Sequence, residues 1–226
     1  MIVRRALSLI AFAALLAAAP VRAAAGTDSV AVAVSLGPGS TLWLEGTSTL
    51  HDFESRTTAT TFAVTRDAAT AAPRDASDLA TLMRTAAVRG VDVTVPVLTL
   101  HSGKDGLDKN LWKALRAAEH PDITFHLERY ARPDAPENAD TLALRAEGAL
   151  TVAGQARPVT LEARAYRGSG GVWLEGRQVL RMTEFGIKPP RMMLGTIRVG
   201  DAITVHYRLL LVVRNGESSP AATSRP

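Results

Sequence analysis

Cysteine is absent from this 226-residue chain. The absence excludes a disulfide framework, a thiolate metal site and a thiol nucleophile, so the fold must rest on its core alone. Long apolar runs are also missing beyond the N-terminus, and no later segment approaches the ~20 residues needed to span a bilayer as a helix. There is no Lys/Arg-rich run to track phosphates, which argues against a nucleic-acid partner. The templates G-x-S-x-G, Walker A and G-x-G-x-x-G are all absent.

The N-terminus has the order of a secretory leader. Arg4 and Arg5 precede an apolar run from Leu7 to Ala19, and small residues follow at Ala23, Ala24 and Ala25. The run is too short for a membrane span, so cleavage after Ala23 or Ala25 is expected, with no transmembrane anchor left on the mature chain. This changes the charge argument. The whole chain carries 26 basic and 22 acidic residues, net +4. Arg4, Arg5 and Arg22 leave with residues 1–25 and no acid does, so the mature chain falls to about +1. The remaining length suits one domain over 26–215, followed by a small, polar tail over 216–226 that is expected to be disordered.

Period-2 alternation dominates that domain. Eight strands are expected, over 41–50, 56–65, 91–100, 123–131, 141–152, 157–167, 172–181 and 202–213. In the last, Ile203, Val205, Tyr207, Leu209 and Leu211 share one face, while Thr204, His206 and Arg208 share the other. One apolar and one polar face per strand is the pattern of an antiparallel sheet with one wet side. Gly37-Pro38-Gly39-Ser40 and Gly168-Ser169-Gly170-Gly171 read as turns, and 133–140 as a surface loop. Two short helices are expected as covers, one over 78–88 capped by Ser77 and one over 109–118 capped by Asp108. The fold class is therefore all-β. Closing eight strands into a barrel removes exposed edges and leaves an interior that is either filled or able to hold one small ligand.

Five histidines invite a metal or catalytic reading. His126 points away from its apolar neighbours Phe125 and Leu127, and His206 lies on the polar face, so both are expected outside the barrel. His101 and His120 read as loop or cap residues. No H-x-H, H-x-x-x-H or H-E-x-x-H spacing occurs, so no metal site and no cofactor is expected. Asp105, Asp108 and Asn110 do not fit a calcium loop, because their spacing is wrong and the closing Glu is missing. His51 and Asp52 are the most provocative pair. Adjacent strand residues face opposite ways, so the two do not easily form one dyad unless the chain bends there. A conformational role, with Asp52 bonding local N–H groups at a bend, is preferred to a direct ligand contact.

Particular strings carry more than the rhythm. Gly46-Thr47-Ser48-Thr49-Leu50-His51-Asp52-Phe53 resembles an opening motif of the YceI-like family, and Leu98 through Trp112 (LTLHSGKDGLDKNLW) resembles its middle motif. His120-Pro121-Asp122-Ile123-Thr124-Phe125 is similar to a third. Gly148-Ala149-Leu150-Thr151-Val152-Ala153-Gly154 with Arg157-Pro158-Val159 is similar to a hairpin motif, and Arg181 through Ile187 (RMTEFGI) to a fifth. They occur in the family's order over about residues 40–213. The resemblance implies a lipocalin-like barrel, periplasmic or secreted, that holds a polyisoprenoid or related lipid in an apolar tunnel and is not an enzyme. The segment 78–88 departs from the pattern.

Candidate ligand contacts are the bulky residues expected on the inner faces: Leu42, Leu44, Phe125, Leu127, Leu144, Leu161, Val205, Tyr207 and Leu209. The aromatics Phe53, Trp112 and Phe185, near the motif loops, join them. An apolar lipid or isoprenoid is the expected partner, and a homodimer is compatible with this reading. Two competing functions remain open. One is an accessory envelope protein with a filled barrel. The other is a lipid-modifying enzyme using His51 and Asp52, or Glu184, at the mouth.

Overall fold

The computed structural model describes residues 29–133, 141–192 and 196–214. The expected leader and tail lie outside the described residues, as does most of the expected 133–140 loop. The described chain runs β1 (Ser29–Val32), β2 (Val34–Leu36), β3 (Thr41–Ser48), β4 (Phe53–Thr57), β5 (Thr61–Asp67), α1 (Ala76–Arg84) and β6 (Val88–Pro96). A one-turn 3₁₀ helix (Val97–Thr99) leads to α2 (Asp105–Ala114), β7 (Asp122–Ala131), β8 (Thr141–Val152), β9 (Gln155–Gly168) and β10 (Gly171–Arg181). A second 3₁₀ turn (Met182–Phe185), β11 (Arg191–Met192) and β12 (Ile197–Val213) complete it.

Neighbouring strands pair antiparallel, in the order β1-β5-β6-β7-β8-β9-β10-β12-β3-β4. The sheet curls on itself, and its seam is closed twice. At one end β1 pairs with β5 while β2, one residue further on, pairs with β12. At the other end β4 extends the β12–β3 edge, and Arg56 exchanges both backbone hydrogen bonds with His101, at 2.9 and 3.0 Å. The result is a lipocalin-like antiparallel barrel, as expected.

Among the described residues, twelve strands stand where eight were expected, for local reasons. The run 56–65 is broken after Thr57, whose hydroxyl accepts the amide of Ala59. The run 91–100 starts earlier, at Val88, and ends at Pro96. Proline fixes φ (here −65°) and starts the 3₁₀ turn. β1, β2 and the two-residue β11 were too short to register as alternation. The β8–β9 hairpin turns on Ala153 and Gly154, with φ of 49° and 78°. Two left-handed residues in a row give the turn whose twist matches its strands.

Both helices begin earlier than expected. Asp75, not Ser77, caps α1, because its carboxylate accepts the amides of both Ser77 and Asp78, at 2.8 and 2.9 Å. α1 stops at Arg84, and the chain turns through Ala86 at φ 53°. Asp108 does not cap α2. It lies in the helix's first turn, with Lys104 at the cap position.

Each helix serves one end of the barrel. Leu79, Leu82 and Met83, at i, i+3 and i+4 on α1, are buried among Val32, Val64, Leu142 and Leu211. The Tyr130 hydroxyl donates to the Met83 carbonyl at 3.0 Å, tying this floor to the wall. At the far end Leu111 and Leu115 of α2 pack with Val97, Leu100, Val152 and Phe185. No described helix is long and apolar enough to cross a membrane.

Candidate ligand-binding site

Between floor and far end the inward side chains do not meet. They enclose a cavity of about 510 Å³ along the barrel axis. Small-molecule sites span roughly 300–1,000 Å³ and are mainly apolar. Its walls follow directly from the pleat: successive residues alternate faces, so each strand gives every second side chain to the lumen. Val91, Val93 and Val95 of β6 line it, as do Ile203, Val205, Tyr207, Leu209 and Leu211 of β12.

Eleven of the twelve residues singled out in the sequence stand on this wall. They are Leu42, Leu44 and Phe53 on β3 and β4, Phe125 and Leu127 on β7, Leu144 and Leu161 on β8 and β9, Phe185, and Val205, Tyr207 and Leu209 on β12. Trp112 is the one that does not border the cavity. It lies off the cavity wall, with its indole N–H donating to the Leu100 carbonyl at 3.1 Å and its ring edge-on to His101 at 5.6 Å. An indole N–H needs a partner when it is half-buried, and the Leu100 carbonyl supplies it. Its helix neighbours Leu111 and Leu115 line the lumen instead.

Several lining residues were not anticipated. The α1 residues Leu79 and Met83 form the floor, and Phe62, Val64 and Tyr130 surround them. Polar side chains collect toward the α2 end: Ser48, His51, Ser102, Asn110 and Arg181 all border the cavity there. The apolar well thus has a polar rim at one end.

His51 touches that rim without a catalytic partner in its neighbour. Its Nδ1 lies 2.9 Å from the Asp52 main-chain oxygen, not from the carboxylate. The bend that presents it is held by Ser48 rather than Asp52. The Ser48 hydroxyl accepts the amides of Leu50 and His51 and donates to the His51 carbonyl at 2.7 Å. Glu184 is exposed, and its carbonyl accepts from the Arg157 side chain. Two further histidines are engaged elsewhere. His126 pairs with Asp92 across the outer face at 2.6 Å, and His206 stacks on Trp43 with centroids 4.8 Å apart. Among the described residues no group of three or more metal-ligating side chains comes together.

One acid is buried beside the rim. Asp108 accepts the Ser102 amide and hydroxyl at 2.7 and 2.6 Å, and its other oxygen lies 3.0 Å from His101 Nδ1. Burial alone would raise its carboxyl, but the hydrogen bonds from Ser102 and His101 outweigh it and hold the group below the usual carboxylate range. In the lumen, burial pushes the Tyr207 hydroxyl up to about 12, with the nearby Glu162 charge adding to it. Its proton goes to the Glu162 carbonyl at 2.9 Å.

Comparison with known proteins places this geometry. A family model described as the YceI-like domain matches residues 39–211. No curated protein matches the sequence. Among solved structures, BcnA of Burkholderia cenocepacia superposes with a TM-score of 0.58 at 16% identity, over 77% of this chain and 96% of that one. A polyisoprenoid binding domain from Saccharophagus degradans, implicated in plant cell wall breakdown, gives 0.57 at 10% identity, over 81% and 99%. At such identities the superpositions speak for the fold. The family match, which takes in the barrel from just before β3 to the last strand, carries the assignment: this chain belongs to the YceI-like family.

Proposed function

We propose that the protein is an exported carrier that holds one long apolar lipid, of the polyisoprenoid class, along the barrel axis. The observation that carries this reading is the cavity itself: about 510 Å³, mainly apolar from its α1 floor upward, with most of its polar side chains toward the α2 end. Such a site suits a molecule with a long hydrocarbon body and a small polar end. Each CH₂ withdrawn from water contributes ~0.8 kcal/mol, so a chain needs few polar anchors to bind tightly. The structural neighbour described as a polyisoprenoid binding domain supports the same class.

In this reading the eleven wall residues named above contact the ligand body, and Ser48 and His51 meet its polar end. Binding, not turnover, is the function, since His51 faces a main-chain oxygen rather than an activating carboxylate. The N-terminal leader directs the protein to the periplasm or beyond. Native mass spectrometry of the protein purified from its own envelope tests the proposal. A bound mass that organic extraction identifies as a prenyl lipid is the expected result. Protein that carries no lipid and takes up no polyprenol overturns it.

A further inference from the structure

Two strands of the barrel wall part halfway along. β9 and β10 pair from Gly168↔Gly171 to Ala163↔Gly176 and no further. Yet β9 runs back to Gln155 and β10 runs on to Arg181. On its other side β9 stays paired with β8 through to Gln155, and β10 stays paired with β12 through to Arg181. The opening therefore belongs to these two strands alone. Pro158 lies within the unpaired stretch of β9, and a residue without an N–H is suited to a strand edge.

The split reaches the lumen. Leu161 on one side and Gln178 and Leu180 on the other all border the cavity. Its two ends are fastened by single hydrogen bonds. At the inner end the Tyr207 hydroxyl crosses β10 and donates to the Glu162 carbonyl at 2.9 Å, the first carbonyl past the last ladder pair. It can lie there because Gly176 is beneath it: a Cβ at that position would sit 2.2 Å from the hydroxyl. At the outer end Arg157 Nε donates to the Glu184 carbonyl at 2.8 Å. Val179 stands on the outer lip, 59% exposed.

We propose that the split between β9 and β10 is a lateral gate through which an apolar chain enters and leaves the lumen, latched by the Tyr207–Glu162 and Arg157–Glu184 hydrogen bonds. The inference rests on the reading that the lumen holds such a chain. A chain drawn end-on past the α2 rim must carry each methylene by the polar side chains there in turn. A slit along the wall lets it move sideways, with side chains rather than a backbone ladder to displace. Parting β8 from β9 instead would break a ladder unbroken from Thr141↔Tyr166 to Val152↔Gln155.

The test uses the chain's lack of cysteine. Thr160→Cys and Val179→Cys place two exposed thiols on facing lips of the split, to be joined by a cleavable bis-maleimide. The protein is loaded with dansyl-geranylgeraniol, and release into excess phosphatidylcholine vesicles is followed by fluorescence. Linking is expected to slow release at least tenfold, and cleaving the linker to restore it. Arg157→Ala, which removes the outer latch, is expected to speed release several-fold at unchanged loading. Release at one rate in linked and unlinked protein overturns the gate while the binding reading stands. An unlinked protein that takes up no probe overturns the binding reading, and the gate with it.

Discussion

Asp108 accepts two hydrogen bonds from one residue, Ser102: the backbone amide at 2.7 Å and the side-chain hydroxyl at 2.6 Å. The pair joins the first turn of α2 to the chain leaving the 3₁₀ turn, and the same carboxylate meets His101, whose backbone bridges to Arg56 at the barrel seam. One buried acid therefore holds helix, loop and seam together. Asp108→Ala leaves the Ser102 amide without its acceptor in a buried place. Hydrogen bonds to a charged group contribute about 1.5–3 kcal/mol, so a loss of about 2–4 kcal/mol is expected. Asp108→Asn, which keeps one acceptor, should lose less. Urea midpoints of the two variants check the order.

Acid should weaken the fold through the same group. The Asp108 carboxyl is held below its usual range in the folded protein. A depressed folded-state pKa gives stability that is present above the unfolded value, near 4, and lost as pH falls through the folded value. Asp67, Asp78 and Asp201 are lowered in the same direction, by Arg89, Arg74 and Thr183 respectively, at partly exposed positions where solvent screens the effect. The melting temperature is expected to hold from pH 7 to about 5 and to fall below 4. In Asp108→Asn that fall should be shallower.

Gly176 and Tyr207 should behave as one unit. They face each other across β10 and β12, and a Cβ on Gly176 would meet both the Tyr207 hydroxyl and the Glu162 carbonyl, at 2.2 and 2.4 Å. Gly176→Ala is expected to cost about 1–3 kcal/mol by overpacking. With Tyr207→Phe already in place, part of that cost disappears, because the nearest of the three clashing atoms is gone, while the ring carbon Cζ and the Glu162 carbonyl remain at 2.4 Å. A double-mutant cycle measures the difference, and additive costs would contradict the geometry.

The long strands were legible because alternation persisted. β8 has its expected bounds of 141–152, and β7 and β12 contain theirs, since one face had to be apolar for ten residues or more. Val91, Ala146 and Ala163 could have been placed on the lumen by the same rule. What escaped was set by contacts between distant residues. Asp75 out-competes Ser77 as a cap only once the geometry of the turn is known, and Asp108 turns back to Ser102 because its environment is buried. Trp112 looked like a lining aromatic, yet a single hydrogen bond to Leu100 takes it off the wall. The split between β9 and β10 left one trace in the sequence, Pro158, inside a run that otherwise reads as an ordinary strand.

Filling the lumen separates binding from folding. Ala146 borders the cavity midway along β8, opposite Leu161 on β9 and Tyr130 on β7. A Trp at this position projects into open space rather than into packed core, so Ala146→Trp should leave the melting temperature near that of the parent.

The most direct measurement is therefore a titration of parent and Ala146→Trp protein with dansyl-geranylgeraniol. The account predicts saturable, one-site binding by the parent and at least tenfold weaker binding by the variant, a loss of about 1.4 kcal/mol or more. Equal affinity in the two proteins, with both still folded, would contradict the claim that the ligand lies in the barrel.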